Sequence, residues 1–262
     1  MYRRGSLFWG GILIVLAALL LLRQTGVIVG DIFGYFWPLL IIALGIWLIV
    51  GFFARNRPIE GEKVSIPLES ATSAFIKLDH GAGRLTLHSG AGSNEIINGT
   101  FGNGINYKSH LDGNRIEVKL RTPHQFWAWW PGESLDWDIR LNRDIPMNLK
   151  IDSGASASTM DLSGLKITDL DIDTGASSTD LTLPATAENM HVDIDTGASS
   201  LKVNIPAGVA ASIRIKSGIT ALNVNSRFPR VESGLYQSND YSSSINRVDM
   251  TINAGVGSID IN

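Results

Sequence analysis

The sequence predicts a two-part chain: an N-terminal two-helix transmembrane hairpin over residues 1–57, and an all-β domain over residues 58–262. The β domain is expected to be a single-stranded β-helix, or solenoid, with coils of 21–22 residues. Three observations carry this. Two long apolar runs fall before residue 58. A glycine recurs at a short, nearly fixed interval in the second part. Around each of those glycines apolar and polar residues alternate with a period of two.

The first run, Leu7–Leu22, is 16 residues without a charge, and the second, Ile32–Ala54, is 23. A hydrocarbon core about 30 Å thick is crossed at about 1.5 Å per residue, so the second run spans it. The first spans it with Gly5 and Ser6 added and with snorkelling arginines at its ends. Pro38 marks a helix start, which leaves Tyr35, Phe36 and Trp37 at the interface where aromatic rings favour sitting. A cleaved signal peptide fits poorly, because LLLLRQTG offers no small-residue cleavage site and a second apolar run follows at once. Arg3 and Arg4 precede the first helix, and Arg55 and Arg57 follow the second. The connecting segment holds one cation, Arg23, offset by Asp31. The positive-inside rule therefore places both termini in the cytoplasm of a multi-pass plasma-membrane protein.

Removing the five arginines and one aspartate of residues 1–57 leaves 17 basic and 24 acidic side chains, a formal charge of −7. An acidic domain is a poor nucleic-acid partner, since phosphate neutralisation needs clustered Lys and Arg. The chain has no cysteine, which excludes disulfides and thiolate chemistry.

KIDSGAS (150–156), DIDTGAS (171–177), DIDTGAS (193–199) and RIKSGIT (214–220) align on Gly154, Gly175, Gly197 and Gly218, spaced 21, 22 and 21 residues apart. KLDHGAG (77–83) and TINAGVG (251–257) are outlying copies. Leu170 and Ile172 point one way and Asp169, Asp171 and Asp173 the other; Val192, Ile194, Leu201 and Val203 repeat the pattern. The Asp-Ser/Thr-Gly corner is turn chemistry, with the carboxylate accepting from backbone two residues on and glycine supplying a φ other residues resist. Pro184 and Pro206 close their strands.

Asp-Thr-Gly is also the stretch that carries an aspartic-protease carboxylate. A dyad needs one pair sharing a proton in a water-excluded cleft. Here the acid recurs at Asp79, Asp152, Asp173 and Asp195, and the equivalent position is Lys216 in one copy and Asn253 in another. A position that is copied and then replaced by lysine is architecture, so no catalytic residue is assigned. The aspartate ladder is oxygen-rich enough to hold Ca²⁺, but the nonapeptide of calcium-filled β-rolls is absent, and solvated aspartates at turns are the expected reading. None of His80, His88, His110, His124 and His191 falls at ligand spacing, and His80 is expected at the surface. No Walker loop, GxGxxG or GxSxG is present, so no cofactor or metal is expected.

FWAWWPGESLDW (126–137) breaks the polar monotony. It reads either as a cap on one end of the stack or as an exposed patch, with Trp127, Trp129 and Trp130 contacting a partner or the membrane interface.

GGILIVLAALLLLRQTGVI followed by FGYFWPLLIIALGIWLIVG resembles the transmembrane module of LiaI/LiaF-type bacterial envelope-stress proteins. LDWDIRLNRDIPMNLKIDSGAS and DIDTGASSTDLTLPA are similar to the toastrack domains that often follow it. The resemblance implies a right-handed β-helix-like domain on a membrane anchor, with no catalytic residues to carry over. It implies a non-enzymatic accessory, regulatory or scaffold protein in envelope-stress signalling. Its expected partners are the lipid bilayer and a membrane signalling protein such as a histidine kinase, with homo-oligomers through exposed terminal strands. The alternative is an extracytoplasmic module that binds glycan or cell-wall polymer, or adheres. The chain has one hairpin, where LiaF-type regulators tend to have more membrane segments.

Overall fold

In the computed structural model of the chain, the residues described are 61–123, 135–186 and 188–262. The expected transmembrane hairpin and Trp127, Trp129 and Trp130 lie outside them. Every regular element among the described residues is a strand. In chain order these are β1 (Glu62–Pro67), β2 (Ser73–Ser89), β3 (Glu95–Phe101), β4 (Asn106–Asp112), β5 (Arg115–Arg121), β6 (Trp137–Leu141) and β7 (Pro146–Asp161). There follow β8 (Lys166–Thr182), β9 (Met190–Asn204), β10 (Ala210–Val224), β11 (Arg230–Glu232), β12 (Leu235–Gln237) and β13 (Arg247–Ile261).

Six of these run for 15 to 17 residues, each through its corner glycine (Gly81, Gly154, Gly175, Gly197, Gly218 or Gly255) without interruption. Each is one rung bent at its middle. Alternation makes the bend visible: Met147, Leu149 and Ile151 are buried, Gly154 and Ala155 are both exposed, and burial resumes at Ser156, Ser158 and Met160. Two successive outward residues shift the period by one, so both halves of the strand face the same core. The rungs stack by parallel, in-register pairing in the order β2, β7, β8, β9, β13, β10.

Register turns the sequence repeat into columns. Leu78, Ile151, Ile172, Ile194, Ile252 and Ile215 form one buried apolar column, and Ile76, Leu149, Leu170, Val192, Met250 and Ile213 another. Fully burying an Ile or Leu side chain is worth about 1.5–3 kcal/mol, which makes these columns the main favourable term. At the inner bend hydroxyls meet in pairs, Ser153 with Ser156 and Thr174 with Ser177, each at 3.0 Å.

The corner glycines do not have the role the sequence implied. None of Gly154, Gly175, Gly197 and Gly218 has a positive φ. A Cβ on each would instead sit 2.6–2.8 Å from the carbonyl oxygen of the corner glycine on the neighbouring rung. Close backbone approach, not unusual torsion, demands glycine there. Nor does a corner aspartate accept a hydrogen bond from the backbone among the described residues. That turn chemistry appears between strands, where Ser163 N donates to Asp161 Oδ1 at 3.1 Å and Arg227 N to Asn225 Oδ1 at 3.0 Å.

The sequence implied that the copy at 214–220 stacks on the copy at 193–199. The structure inserts β13 between them, so β10 is the last full rung. The ends of the stack differ. On β2 the first half of the edge is covered by β5 and β4, and the second half by β6, β3 and β1. On β10 the antiparallel β12–β11 pair covers Ser212–Arg214, with Ser238 and Gly234 beside β12 bonding the backbone of Ala211 and Ile215.

Candidate interaction surface

The outward face of the first half-strands carries two charged rows. One runs Asp79, Asp152, Asp173, Asp195, Asn253, Lys216, and its neighbour runs Lys77, Lys150, Asp171, Asp193, Thr251, Arg214. At the β2 end the rows neutralise each other. Lys77 Nζ lies 2.5 Å from Asp152 and 3.3 Å from Asp79, Arg121 lies 2.7 Å from Asp79, and Lys150 lies 2.6 Å from Asp171. The hydrogen bond from Lys77 to Asp152 holds its ammonium above the usual lysine range, and that from Lys150 to Asp171 does the same for Lys150. Further along, Asp173 and Asp193 have no ion pair among the described residues, and Asp195 accepts from Asn253 Nδ2 at 2.6 Å.

Asp173 and Asp195 are direct neighbours in the β8–β9 ladder, and both are exposed. They line a shallow groove of about 560 Å³ with Asn253, Lys216 and the corner glycines of the last three rungs. Water reaches both carboxylates, so the pair lacks the enclosed setting in which two acids share one proton. What the rows offer is a rigid pattern of charges and hydrogen-bonding groups that a partner can read. No cluster of three or more His, Asp and Glu suited to a metal ion occurs among the described residues.

His80 is not on the surface, as its place in a turn implied, but buried to 1% exposure. It fills the inward column that Ser153 and Thr174 occupy on the next rungs. Its Nε2 lies 3.0 Å from the Leu135 carbonyl, and its ring is 4.9 Å from that of Trp137, which stacks edge-on against Phe101 at 5.4 Å. Burial pushes the His80 imidazole below the usual histidine range. Trp137 is itself fully buried. Trp137, the last tryptophan of FWAWWPGESLDW, therefore plugs the β2 end of the core.

The approaches to residues 124–134 and to the N-terminal segment converge at this end. Gly61 packs against the Phe101 carbonyl, Glu62 Oε2 accepts from Ile105 N at 3.4 Å, and Gly102 N donates to the Asp136 carbonyl at 2.9 Å. Pro123 borders Gly104 on the same turn. Residues 102–105 thus tie the start of β1 to both stems of the Trp-rich segment, which sequence spacing gave no means of seeing.

Residues 55–204 match the family model described as the N-terminal domain of toast_rack, and residues 7–49 match the LiaI-LiaF-like transmembrane region. The fold is shared with the crystal structure of a candidate cell adhesion protein from Clostridium sporogenes ATCC 15579. That match has a TM-score of 0.69 and 23% identity, and covers 76% of this chain and 97% of that one. No curated protein matches the chain.

Proposed function

The chain belongs to the toast-rack family, with a LiaI-LiaF-like transmembrane region ahead of its β domain, and on that footing we propose a non-enzymatic, membrane-anchored regulatory or scaffold protein of the bacterial envelope-stress response. The observation that supports this most is the tandem itself: a membrane region joined to a stack whose outward side chains are held in register. The stack presents a fixed pattern of Asp, Lys, Ser and Thr, and confinement to one membrane raises the effective concentration of a partner there, so weak contacts suffice. A membrane signalling protein such as a histidine kinase is the partner proposed.

The hairpin crosses the membrane twice with both termini in the cytoplasm. Trp127, Trp129 and Trp130 serve as an aromatic belt at the bilayer interface or as the rim of the partner contact. The deciding experiment is in-membrane crosslinking of the full chain, with deletion of residues 1–57 as the comparison. Capture of a signalling protein by the full chain, lost on deletion although the β domain stays folded, supports the proposal. Equal capture without the anchor overturns it. The competing reading is an extracytoplasmic adhesive or glycan-binding module. A phosphatase fused after Asn262 discriminates, being inactive outside the cell under the first reading and active under the second.

A further inference from the structure

The outward row that begins Lys77, Lys150 continues past the β2 end of the stack. Lys108 on β4 stands directly opposite Lys119 on β5, and Lys119 is in register with Lys77 on β2. Four lysines therefore follow one another on four adjacent strands, about 4.8 Å apart, before the row turns to Asp171 and Asp193. Like charges directly opposite each other destabilise a sheet. Lys77 and Lys150 are relieved by Asp79, Asp152 and Asp171, and Arg121 on β5 by Asp79. Lys108 and Lys119 are both exposed and have no ion pair among the described residues. A lysine on an edge strand such as β4 guards against strand pairing. That does not account for Lys119, because β5 is paired on both sides.

The hairpin that carries these lysines projects beyond the core. On β5 the inward Ile116, Val118 and Leu120 are buried, but the residues opposite them on β4 are not: Leu111 is half-buried, Ser109 is exposed and Tyr107 is 47% exposed. β4 pairs with β5 alone. Lysine stems and a tyrosine ring together are suited to the boundary between lipid and water. A bilayer is within reach. The match to the transmembrane region ends at residue 49, twelve residues before Gly61, and twelve residues span about 40 Å at most. Gly61 packs against the Phe101 carbonyl, and the turn 102–105 leads from there into β4.

We infer that the β4–β5 hairpin is a docking surface for an anionic lipid bilayer, with Lys108 and Lys119 over the headgroups and the acidic rungs turned away. This rests on the membrane region alone and not on the signalling partner proposed above. Charge spacing makes it work in a domain that is acidic overall. Asp173, on β8, lies four strands from β4, about 19 Å at about 4.8 Å per strand, and Asp193 lies one strand further. That is about two Debye lengths of 8–10 Å, so these aspartates do not cancel the attraction at the hairpin. The same surface repels them, which sets the direction of the stack. Two lysines near an anionic leaflet shift the ratio of docked to undocked domain by about 30-fold, the equivalent of about 1 kcal/mol each. Tethering keeps the bilayer at high effective concentration, so a shift of that size decides the orientation.

The cysteine-free chain takes one probe at a time. A fluorophore on Ser109→Cys, exposed on β4, reports contact when the full chain is reconstituted into vesicles that carry a headgroup-linked quencher; His191→Cys, exposed on β9, is the comparison. Quenching at residue 109 is expected to be severalfold stronger with equal parts of phosphatidylglycerol and phosphatidylcholine than with phosphatidylcholine alone, and to fall away at high salt. At residue 191 it is expected to stay low throughout. Lipid composition and salt test the inference without touching the lysines. Lys108→Gln with Lys119→Gln is expected to abolish the difference between the two lipids, with unchanged far-UV circular dichroism as the check on folding. Equal quenching at residue 109 in the two kinds of vesicle, a difference that survives in the folded glutamine variant, or stronger quenching at residue 191 would overturn the inference.

Discussion

Gly197→Ala isolates the physical reason for the repeat's glycine. A Cβ at residue 197 would lie 2.7 Å from the Gly175 oxygen and 3.6 Å from its carbonyl carbon. The obstacle is backbone, locked by the β8–β9 ladder that continues on both sides of the corner. The rungs must part by about 0.3 Å before the contact reaches even 3.0 Å. Overpacking of this kind costs about 1–3 kcal/mol. Against it stands about 0.4–1 kcal/mol from the lower entropy of an unfolded chain with Ala in place of Gly. Taking central values, about 2 less about 0.7 leaves a net loss of about 1.3 kcal/mol, and at about 2–4 °C per kcal/mol for a domain this size the midpoint falls by roughly 3–5 °C. Gly208→Ala is the matched control. Gly208 lies in the connection between β9 and β10, its φ is not positive, and nothing lies within 4 Å of where its Cβ would stand. That variant keeps the entropy gain without the clash, and its midpoint should rise by about 1–4 °C. Thermal melts of residues 59–262 followed by far-UV circular dichroism compare the two. A Gly197→Ala midpoint at or above wild type, or a Gly208→Ala loss as large, would refute the close-approach account.

His80 makes the domain acid-sensitive. Its pKa is depressed by burial, so its contribution to stability is complete above the unfolded value of 6.5 and is lost as pH falls from there toward the folded value. Ser at this position, as on the next rung, should flatten the decline in melting temperature just below pH 6.5; an identical pH profile for His80→Ser disproves the assignment. On the outward face Asp193 stands directly opposite Asp171 without a cation of its own among the described residues. Asp193→Asn should stabilise the domain by about 0.2–1 kcal/mol in urea titrations at low salt and lose that advantage as salt rises; destabilisation would mean that Asp193 makes a contact the ladder does not show. Trp127, Trp129 and Trp130 changed together to Ala should leave the melting midpoint of the domain unaltered while weakening its retention on liposomes, and collapse of the fold would assign these residues to the core instead.

The middle of the stack was legible because its rungs are nearly identical and consecutive. Leu170, Ile172, Leu181 and Leu183 announce a period of two, and the spacing of Gly154, Gly175 and Gly197 announces the coil length. The place of β13 was not legible. The connection from β9 to β10 has five residues, Ile205–Val209. At about 3.3 Å each it reaches about 16 Å, enough to cross either one rung spacing of about 4.8 Å or two. Chain separation therefore could not say which rung comes next.

The surface was legible in part. That the aspartates form an outward row follows from alternation and period; which of them are neutralised does not, because Lys77 and Lys150 reach Asp152 and Asp171 on neighbouring rungs. His80 was misplaced for a related reason. A place in a turn among Ser and Thr suggests solvent, whereas the bent strand turns that column inward and β6 closes over the β2 end, with Trp137 against the His80 ring. By itself the sequence determined the unit: a bent strand of fixed length, one apolar face, and a glycine wherever two corners touch. The tertiary structure decided the order of the units, which end is plugged and which stays open, because those depend on contacts between segments far apart in the chain, where covalent spacing imposes almost no constraint.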